Sequence, residues 1–423
     1  MNIINGIAII GMGYVGLPLA LEFGKKFKTI GFDLNLQRIE QLRDNLDING
    51  EHNIEEFREA NHLTFSGSLN DIAGYDFFII TVPTPVTADN SPDFRPLLIA
   101  SEMIGGILHP GSTVIYESTV YPGATEEICV PMLEKSSGLE FNKDFFVGYS
   151  PERINPGDKK NKLKDICKIT SGSTIDASRI INQLYNTIIA AGTHMAESIK
   201  VAEAAKVIEN IQRDVNIALM NELSIIFRKM DIDTYAVLEA AATKWNFSKF
   251  VPGLVGGHCI GVDPYYLIMK AEAIGIEPKL ISYARNTNEN MVPYVIENVI
   301  NGIRDAKKEP QESRILILGI TFKENCSDIR NSKVIDIYSG LKKYNIAIDI
   351  YDPVANKIEM KVKHNIELIN KIECNKYDSV IFCVPHDEII NIAYHIVETT
   401  LLPGGKVFDL KNILSSDQSH FRF

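Results

Sequence analysis

Residues 256–264 read GGHCIGVDP, a cysteine behind two glycines and a histidine, with a carboxylate four residues on. Cys259 could be a nucleophile, a metal ligand or a small buried hydrophobe. Zinc needs three or four ligands at usable spacing. His258 and Cys259 are adjacent, which is poor chelate geometry, and no CxxC or HxxxH partner exists in the chain. A buried thiol behind a glycine turn is the plain alternative. As a nucleophile, a thiolate would attack an aldehyde, the adduct would lose hydride to a nicotinamide, and the resulting thioester would be hydrolysed.

That chemistry needs a cation or amide for developing oxyanions and a base for the hydrolysis. Lys206 and Asn210 are four apart in a helical pattern and share a face; Lys206 sits in an otherwise apolar run. Glu152, in SPERINPG, follows a strand pattern and precedes a Pro/Gly loop, where sites of open α/β sheets collect. Thr119 closes another strand pattern and could hold a water or merely cap a helix. Asp263 adds a carboxylate close to Cys259, and Gly256-Gly257 would let the backbone approach a ligand closely. Taken singly, each has an ordinary alternative as a solvated helix face, a loop carboxylate or a cap.

The nicotinamide has its own signature. Gly11-Met12-Gly13-Tyr14-Val15-Gly16 follows an apolar strand pattern and opens a helical one. Gly11 allows the tight turn, Gly13 lets the backbone approach a pyrophosphate, and Gly16 permits close helix–strand packing at a helix N-terminus. Asp33 follows 22 residues after Gly11, at the end of the second strand pattern. A carboxylate there accepts a ribose 2′-hydroxyl and repels a 2′-phosphate, so NAD is expected rather than NADP.

The elements that must position these residues are also legible. Apolar strand patterns at 4–10, TIGFDL, 75–85, 111–119 and 145–153 alternate with helical ones, as in a parallel α/β sheet. Residues 199–230 read as one helix, long enough at ~1.5 Å per residue to join two domains. A second, smaller α/β unit starts at SRILILGITF and continues through IAIDIYDP, YDSVIFCVP and KVFDL. Its turn, GITFKENCSDIR, lacks the glycines of a second dinucleotide loop. Lys323 and Arg330 there suggest a phosphate clamp instead. RDAKKEPQE, residues 304–312, is the expected linker.

Composition narrows the partners. The net charge is −11, from 43 basic and 54 acidic residues, without a long basic block, which argues against nucleic acid and anionic membranes as partners. No stretch approaches the ~18 apolar residues a membrane span needs. MNIINGIAIIGMGYVG reads as a first strand, not a signal peptide. The six cysteines lack paired spacing and are expected as thiols in a reducing cytosol.

Seven motifs stand in order: GMGYVG, TVPTP, ESTVYPGATEE, SPERINPGD, EAAKVIENIQRDVNIALMNE, GLVGGHCIGVDP and LGITFKENCSDIRNS. In these the chain resembles the UDP-glucose/GDP-mannose dehydrogenase family over almost its whole length. The resemblance implies two Rossmann-like doubly wound α/β domains joined by a long central helix and a helical dimerisation region. The boundaries expected are 1–197 for NAD binding, 198–305 for the central helix and Cys segment, and 306–423 for the UDP-sugar domain. It implies a four-electron oxidation of a sugar C6 alcohol to the carboxylate, with two NAD reduced.

By the same resemblance Cys259 captures the C6 aldehyde, and Lys206 and Asp263 assist the first oxidation. Lys206 and Asn210 stabilise oxyanions, Glu152 is the hydrolytic base, and Thr119 positions water. The cofactor site is expected to comprise Gly11, Gly13, Tyr14, Val15, Gly16, Asp33, Arg38, Thr84, Thr119 and Arg330. Glu152, Arg153, Lys206, Asn210, Gly256, Gly257 and Lys323 are expected at the substrate, with no metal.

The cysteine motif departs from the GGSCFPKD of UDP-glucose enzymes: His258 replaces Ser, and the Lys before Asp263 is missing. That version is similar to bacterial UDP-N-acetylhexosamine 6-dehydrogenases of capsule and O-antigen synthesis. UDP-N-acetylglucosamine is the first expectation, with its epimers close behind, and a cytoplasmic homodimer is implied. UDP-glucose oxidation, a one-step NAD-dependent hydroxyacid-type dehydrogenase and an NAD-sensing regulator remain the alternatives.

Overall fold

The computed structural model describes residues 5–48, 50–87, 89–154, 162–257 and 259–423. His258 and the Asn155–Asp158 end of SPERINPGD lie outside the described residues. The chain forms two compact units, Met1–Glu209 with Tyr265–Glu277, and Asn210–Pro264 with Pro278–Phe423.

The first unit is built on eight strands: β1 (Ile7–Ile10), β2 (Thr29–Phe32), β3 (Leu63–Ser66), β4 (Phe77–Ile80), β5 (Thr113–Tyr116), β6 (Phe146–Tyr149), β7 (Lys168–Gly172) and β8 (Thr193–Met195). Their order is β3-β2-β1-β4-β5-β6-β7-β8. The sequences IAII, TIGF, FFII and TVIY are buried along their whole length, as strands covered by helices on both faces must be. Helix Gly16–Gly24 packs Leu17, Ala20, Leu21 and Phe23 into the same core as Ile7, Ile9 and Ile79.

The expectation of a parallel sheet holds except at one pair. β7 runs antiparallel to β6, with Gly148 opposite Gly172 and Tyr149 opposite Ser171. KITSG escaped the strand reading because it is short and half polar. Yet its first four residues are buried, since it stands between β6 and β8.

In the second unit β9 (Arg314–Leu318), β10 (Ala347–Tyr351), β11 (Tyr377–Phe382), β12 (Leu401–Asp409) and β13 (Phe421–Arg422) form a parallel sheet in the order β10-β9-β11-β12-β13. Helix Met291–Asp305 places Met291, Val295, Val299 and Ile303 at helical spacing against Ile315, Ile317 and Ile337. The long helix runs Ile199–Lys229, and the boundary between the two units falls within it, after Glu209.

In both sheets the strand order reverses beside the first strand of the unit, at β1/β4 and at β9/β11. The crevice at the carboxyl ends of such strands is where open α/β sheets bind ligands.

Candidate active site

The glycine loop leaves β1 at that crevice. Gly11 has φ +100° and its amide donates to the Phe32 carbonyl at 2.8 Å. A Cβ on Gly16 would lie 1.9 Å from the Gly11 carbonyl oxygen, so helix and strand can meet only at a glycine. Thr81, at the end of β4, closes the loop from the other side by donating to the Gly11 carbonyl at 2.8 Å. A Cβ on Gly13 would meet no atom of the described residues within 4 Å. The loop thus presents bare backbone at Gly13, and among the described residues no side chain caps the N-terminus of helix Gly16–Gly24. Both features fit a pyrophosphate.

Asp33 lies just past β2, and its Oδ2 accepts the Met12 amide at 2.7 Å. Its Oδ1 accepts the Asn35 amide at 2.8 Å, which fixes the carboxylate where a ribose edge would meet it. Arg38 stands behind the loop. Its Nε donates to the Met12 carbonyl at 3.1 Å and its Nη2 pairs with Asp47 at 2.8 Å. It braces the loop.

β4, β5 and β6 end in register, Ile80 beside Tyr116 beside Tyr149. The residues that follow therefore share one edge of the sheet. Thr84 Oγ1 donates to the Thr119 carbonyl at 2.7 Å, which brings two expected cofactor residues together. Tyr266 Oη donates to the Thr84 carbonyl at 2.8 Å.

Beneath this edge lies a charged cluster that the sequence reading missed. Lys168 Nζ lies 2.6 Å from Glu117 Oε2 and 3.2 Å from Glu152 Oε2. The three side chains are 2%, 0% and 11% exposed. Tyr185 donates to the other oxygen of Glu117. Burial pushes the Glu117 carboxyl up to about 7, with Lys168 opposing and Glu152 adding to the rise. Burial also works against the charge of Lys168, but Glu117 and Glu152 outweigh it and hold the ammonium. Glu152 Oε1 accepts the Arg153 amide at 2.6 Å. Arg153 itself pairs with Glu209 at 2.7 Å and donates to the Cys167 carbonyl at 2.8 Å.

The long helix brings Lys206, which is buried, into the first unit. One turn earlier Glu203, also fully buried, accepts the Gly123 amide at 2.5 Å and the Thr125 amide at 2.9 Å. It caps a turn of π-helix over Thr125–Cys129, a form often found near functional sites. Burial lifts its carboxyl to about 7 against those donors.

The second unit holds Asn210, Cys259 and Asp263. Cys259 is exposed, unlike buried Cys129, Cys326 and Cys383, so the buried-hydrophobe reading does not describe it. Its carbonyl accepts the Asp263 amide at 2.8 Å at the start of helix Asp263–Ala273, and Asn210 Nδ2 donates to Asp263 Oδ2. Ahead of the segment, Asn221 exchanges two hydrogen bonds with the Gly253 backbone, at 3.0 and 2.7 Å. Behind it, fully buried Arg285 pairs with Asp214 at 3.0 Å and reaches the Ile260 carbonyl.

Gly256 and Gly257 pack closely against a neighbouring loop. A Cβ on Gly256 would lie 2.6 Å from the Asn331 carbonyl oxygen. One on Gly257, at φ +81°, would lie 2.9 Å from the Phe322 ring. The Gly257 amide donates to that Asn331 carbonyl at 3.1 Å. The glycines let the cysteine segment pack backbone to backbone on the loop after β9.

That loop carries Lys323 and Arg330. Lys323 Nζ stands 5.4 Å from the Phe322 ring centroid, and Arg330 forks onto Asp328 at 2.7 Å. The charge of Arg330 is thus already matched by a carboxylate within its own loop. Asp352, at the end of β10, receives the Ile320 amide at 2.6 Å, as Asp33 receives Met12. Buried His386 lies 3.1 Å from Asp352, and its Nδ1 accepts the Asn325 amide at 2.9 Å.

Comparison with known proteins matches three domain profiles along the chain. They are the NAD-binding domain of the UDP-glucose/GDP-mannose dehydrogenase family at residues 5–189, its central domain at 200–290 and its UDP-binding domain at 316–416. The chain belongs to the UDP-glucose/GDP-mannose dehydrogenase family. It is an NAD-dependent oxidoreductase with a UDP-binding domain.

It is 51% identical over 416 residues to the UDP-N-acetyl-D-glucosamine 6-dehydrogenase of Pseudomonas aeruginosa, covering 98% of this chain and 99% of that one. It is 51% identical over 414 residues to Protein CapL of Staphylococcus aureus, covering 98% and 97%. Among solved structures, the UDP-D-ManNAc dehydrogenase of Pyrococcus horikoshii matches with TM-score 0.89 at 28% identity, over 99% of this chain and 98% of that one.

Proposed function

We propose that the chain oxidises the C6 hydroxyl of a UDP-N-acetylhexosamine, first UDP-N-acetylglucosamine, to the uronic acid for surface polysaccharide synthesis. The observation that carries the mechanism is an exposed Cys259 on a segment pinned at Gly253, Gly257 and Asp263, in a chain with a complete dinucleotide loop. Identity of 51% to relatives named for UDP-N-acetyl-D-glucosamine supports the choice of sugar.

Gly11, Gly13, Tyr14, Val15, Gly16 and Asp33 would hold NAD, with Thr84 and Thr119 at the sheet edge. When bound, it accepts the hydride of each oxidation step. The Cys259 thiolate adds to the C6 aldehyde, and loss of hydride from that thiohemiacetal leaves a thioester. Lys206 and Asn210 stabilise the oxyanions; one such donor is worth roughly 3 kcal/mol in a dry site. In the last step a water oxygen bonds to the thioester carbon, its proton passes to Glu152, and the carbon–sulfur bond breaks to release the thiolate. Lys323 would meet the UDP-sugar, and Arg330 the cofactor phosphates on release from Asp328.

We place the enzyme in the cytoplasm as a homodimer. All six cysteines are thiols, which supports a reducing compartment. Trp245 (92% exposed), Leu280 and Tyr283 are large apolar side chains left on the surface of the second unit, which supports association. No helix among the described residues is long and apolar enough to cross a membrane.

The test is stoichiometry over a panel of UDP-N-acetylglucosamine, UDP-N-acetylgalactosamine, UDP-N-acetylmannosamine and UDP-glucose. Two NADH per sugar are expected, with UDP-N-acetylglucosamine the fastest. One NADH per sugar would refute the four-electron reaction. A Cys259→Ala protein that still forms carboxylate would remove the cysteine from it.

A further inference from the structure

We propose that Lys168 is a positioning residue for thioester hydrolysis: it holds Glu152 aimed by sharing one ammonium between Glu152 and Glu117. The proposal rests on the reading of Glu152 as the hydrolytic base. It adds a residue that touches neither sugar nor cofactor in that scheme.

Register is the first argument. In the antiparallel pair Gly148 faces Gly172 and Tyr149 faces Ser171. Continued along both chains, the same register sets Glu152 opposite Lys168. The single antiparallel pair of the eight-stranded sheet thus delivers a lysine to the end of β6, where the SPER segment leaves the sheet. A parallel neighbour would instead present the far end of its strand there.

Charge is the second. Once Glu117 is ionised, above about pH 7, two carboxylates and one ammonium leave the buried cluster with one net negative charge. Taking a single proton makes it neutral, so proton uptake from water during hydrolysis relieves buried charge instead of creating it. Without the ammonium, which opposes the rise at Glu117, that carboxyl would hold its proton more tightly in a dry site beside Glu152.

Among the described residues, the groups that face the cluster are few. Glu117 comes from the end of β5, Glu152 and Arg153 from the end of β6, and Lys168 from β7. Tyr185 comes from helix Ile175–Asn186, and Glu209, which pairs with Arg153, from the long helix. Tyr185 stays protonated, because burial raises it far above its ordinary value, and so serves as a fixed donor to Glu117. Lys168 Nζ also stands 5.6 Å from the Tyr185 ring centroid, which restricts where the ammonium can point.

The test is rapid mixing of sugar and NAD with Lys168→Met, acid quenching, and intact-protein mass. NADH should appear in a burst at the wild-type rate. Steady turnover should fall about 100-fold, the usual size of a lost general base, and an acyl adduct on Cys259 should accumulate. Lys168→Arg should recover turnover to within about tenfold.

Should Lys168→Met fold poorly, Glu117→Gln with Lys168→Met keeps the net charge of −1 by removing the ammonium together with the carboxylate that competes for it. It should accumulate the same adduct. Wild-type turnover in these variants, or equal slowing of burst and steady state without adduct, would overturn the proposal. Glu152→Gln separates the two readings. If it gives no adduct, Glu152 is not the base and both readings fall. If it gives adduct and the Lys168 variants do not, only the role of Lys168 falls.

Discussion

Asn210 donates its side-chain amide to Asp263, which ties the long helix to the first turn after the cysteine. Asp263 is buried, and its own amide is bonded to the Cys259 carbonyl. Asn210→Ala deprives a buried carboxylate of one partner. Stability should fall by about 1–3 kcal/mol. Acid formation should drop further than that loss explains, because the turn that carries the thiol loses its anchor. Asn210→Asp sets two carboxylates in contact and should be worse in both. Urea unfolding and NADH release read the two effects, and an Asn210→Asp protein as stable as Asn210→Ala would contradict this account.

The glycine loop and Asp33 were legible because their constraint is local: glycines at fixed spacing, a strand before, a helix after, a carboxylate at the next strand's end. Cys259 stood out for its residue type and its glycines. What the glycines do was not legible, because their partners, Phe322 and the Asn331 carbonyl, belong to a loop 65 to 75 residues away. Lys168 was missed for a related reason. Its partnership with Glu152 depends on the direction and register of a strand pair, and the short half-polar KITSG announces neither. Glu203 left a weaker trace, a carboxylate among alanines one turn before Lys206, which a search for buried helix charges could have found.

Gly13 and Gly16 should fail in different ways. Gly16→Ala forces a Cβ against the Gly11 carbonyl, so both the fold of the first unit and NAD binding should suffer. Gly13→Ala meets open space, so stability without NAD should stay within about 0.5 kcal/mol. NAD affinity should still fall at least tenfold, about 1.4 kcal/mol, because the methyl occupies the place of the pyrophosphate. Melting curves and NAD titration of both proteins decide the matter. Unchanged NAD affinity in Gly13→Ala would move the cofactor away from this loop.

Glu203 makes stability fall as pH rises. Burial, against the Thr125 and Gly123 amides, lifts its carboxyl from 4.5 to about 7. The folded chain then binds the proton more tightly than the unfolded chain across that window. Its stabilising effect is complete below about pH 4.5 and is lost by about pH 7. Glu117 acts in the same direction over the same range. Glu203→Gln removes one of the two slopes. Measured by urea midpoints from pH 5 to 8, the variant should gain on the wild type by about 1–3 kcal/mol as pH rises. Parallel curves would show that Glu203 does not titrate there.

Asp352 gives the opposite sign in the second unit. Burial disfavours its charge, but the His386 bond and the Ile320 and Ala355 amides outweigh it, and the carboxyl is held below 3.8. Its contribution is therefore present above about pH 3.8 and is lost as pH falls through the lower folded value. Asp352→Asn should flatten this acid limb and cost about 1–3 kcal/mol at neutral pH, the usual size for taking an ionised acceptor from buried donors. The consequence for catalysis follows the loop. Asp352 receives the Ile320 amide, and His386 receives that of Asn325, so together they fix the turn that carries Lys323. KM for the UDP-sugar should rise about tenfold or more in Asp352→Asn, while NAD affinity stays put. Equal losses for sugar and cofactor would mean general unfolding instead of a loosened sugar loop, and an unchanged KM would separate this turn from the substrate altogether.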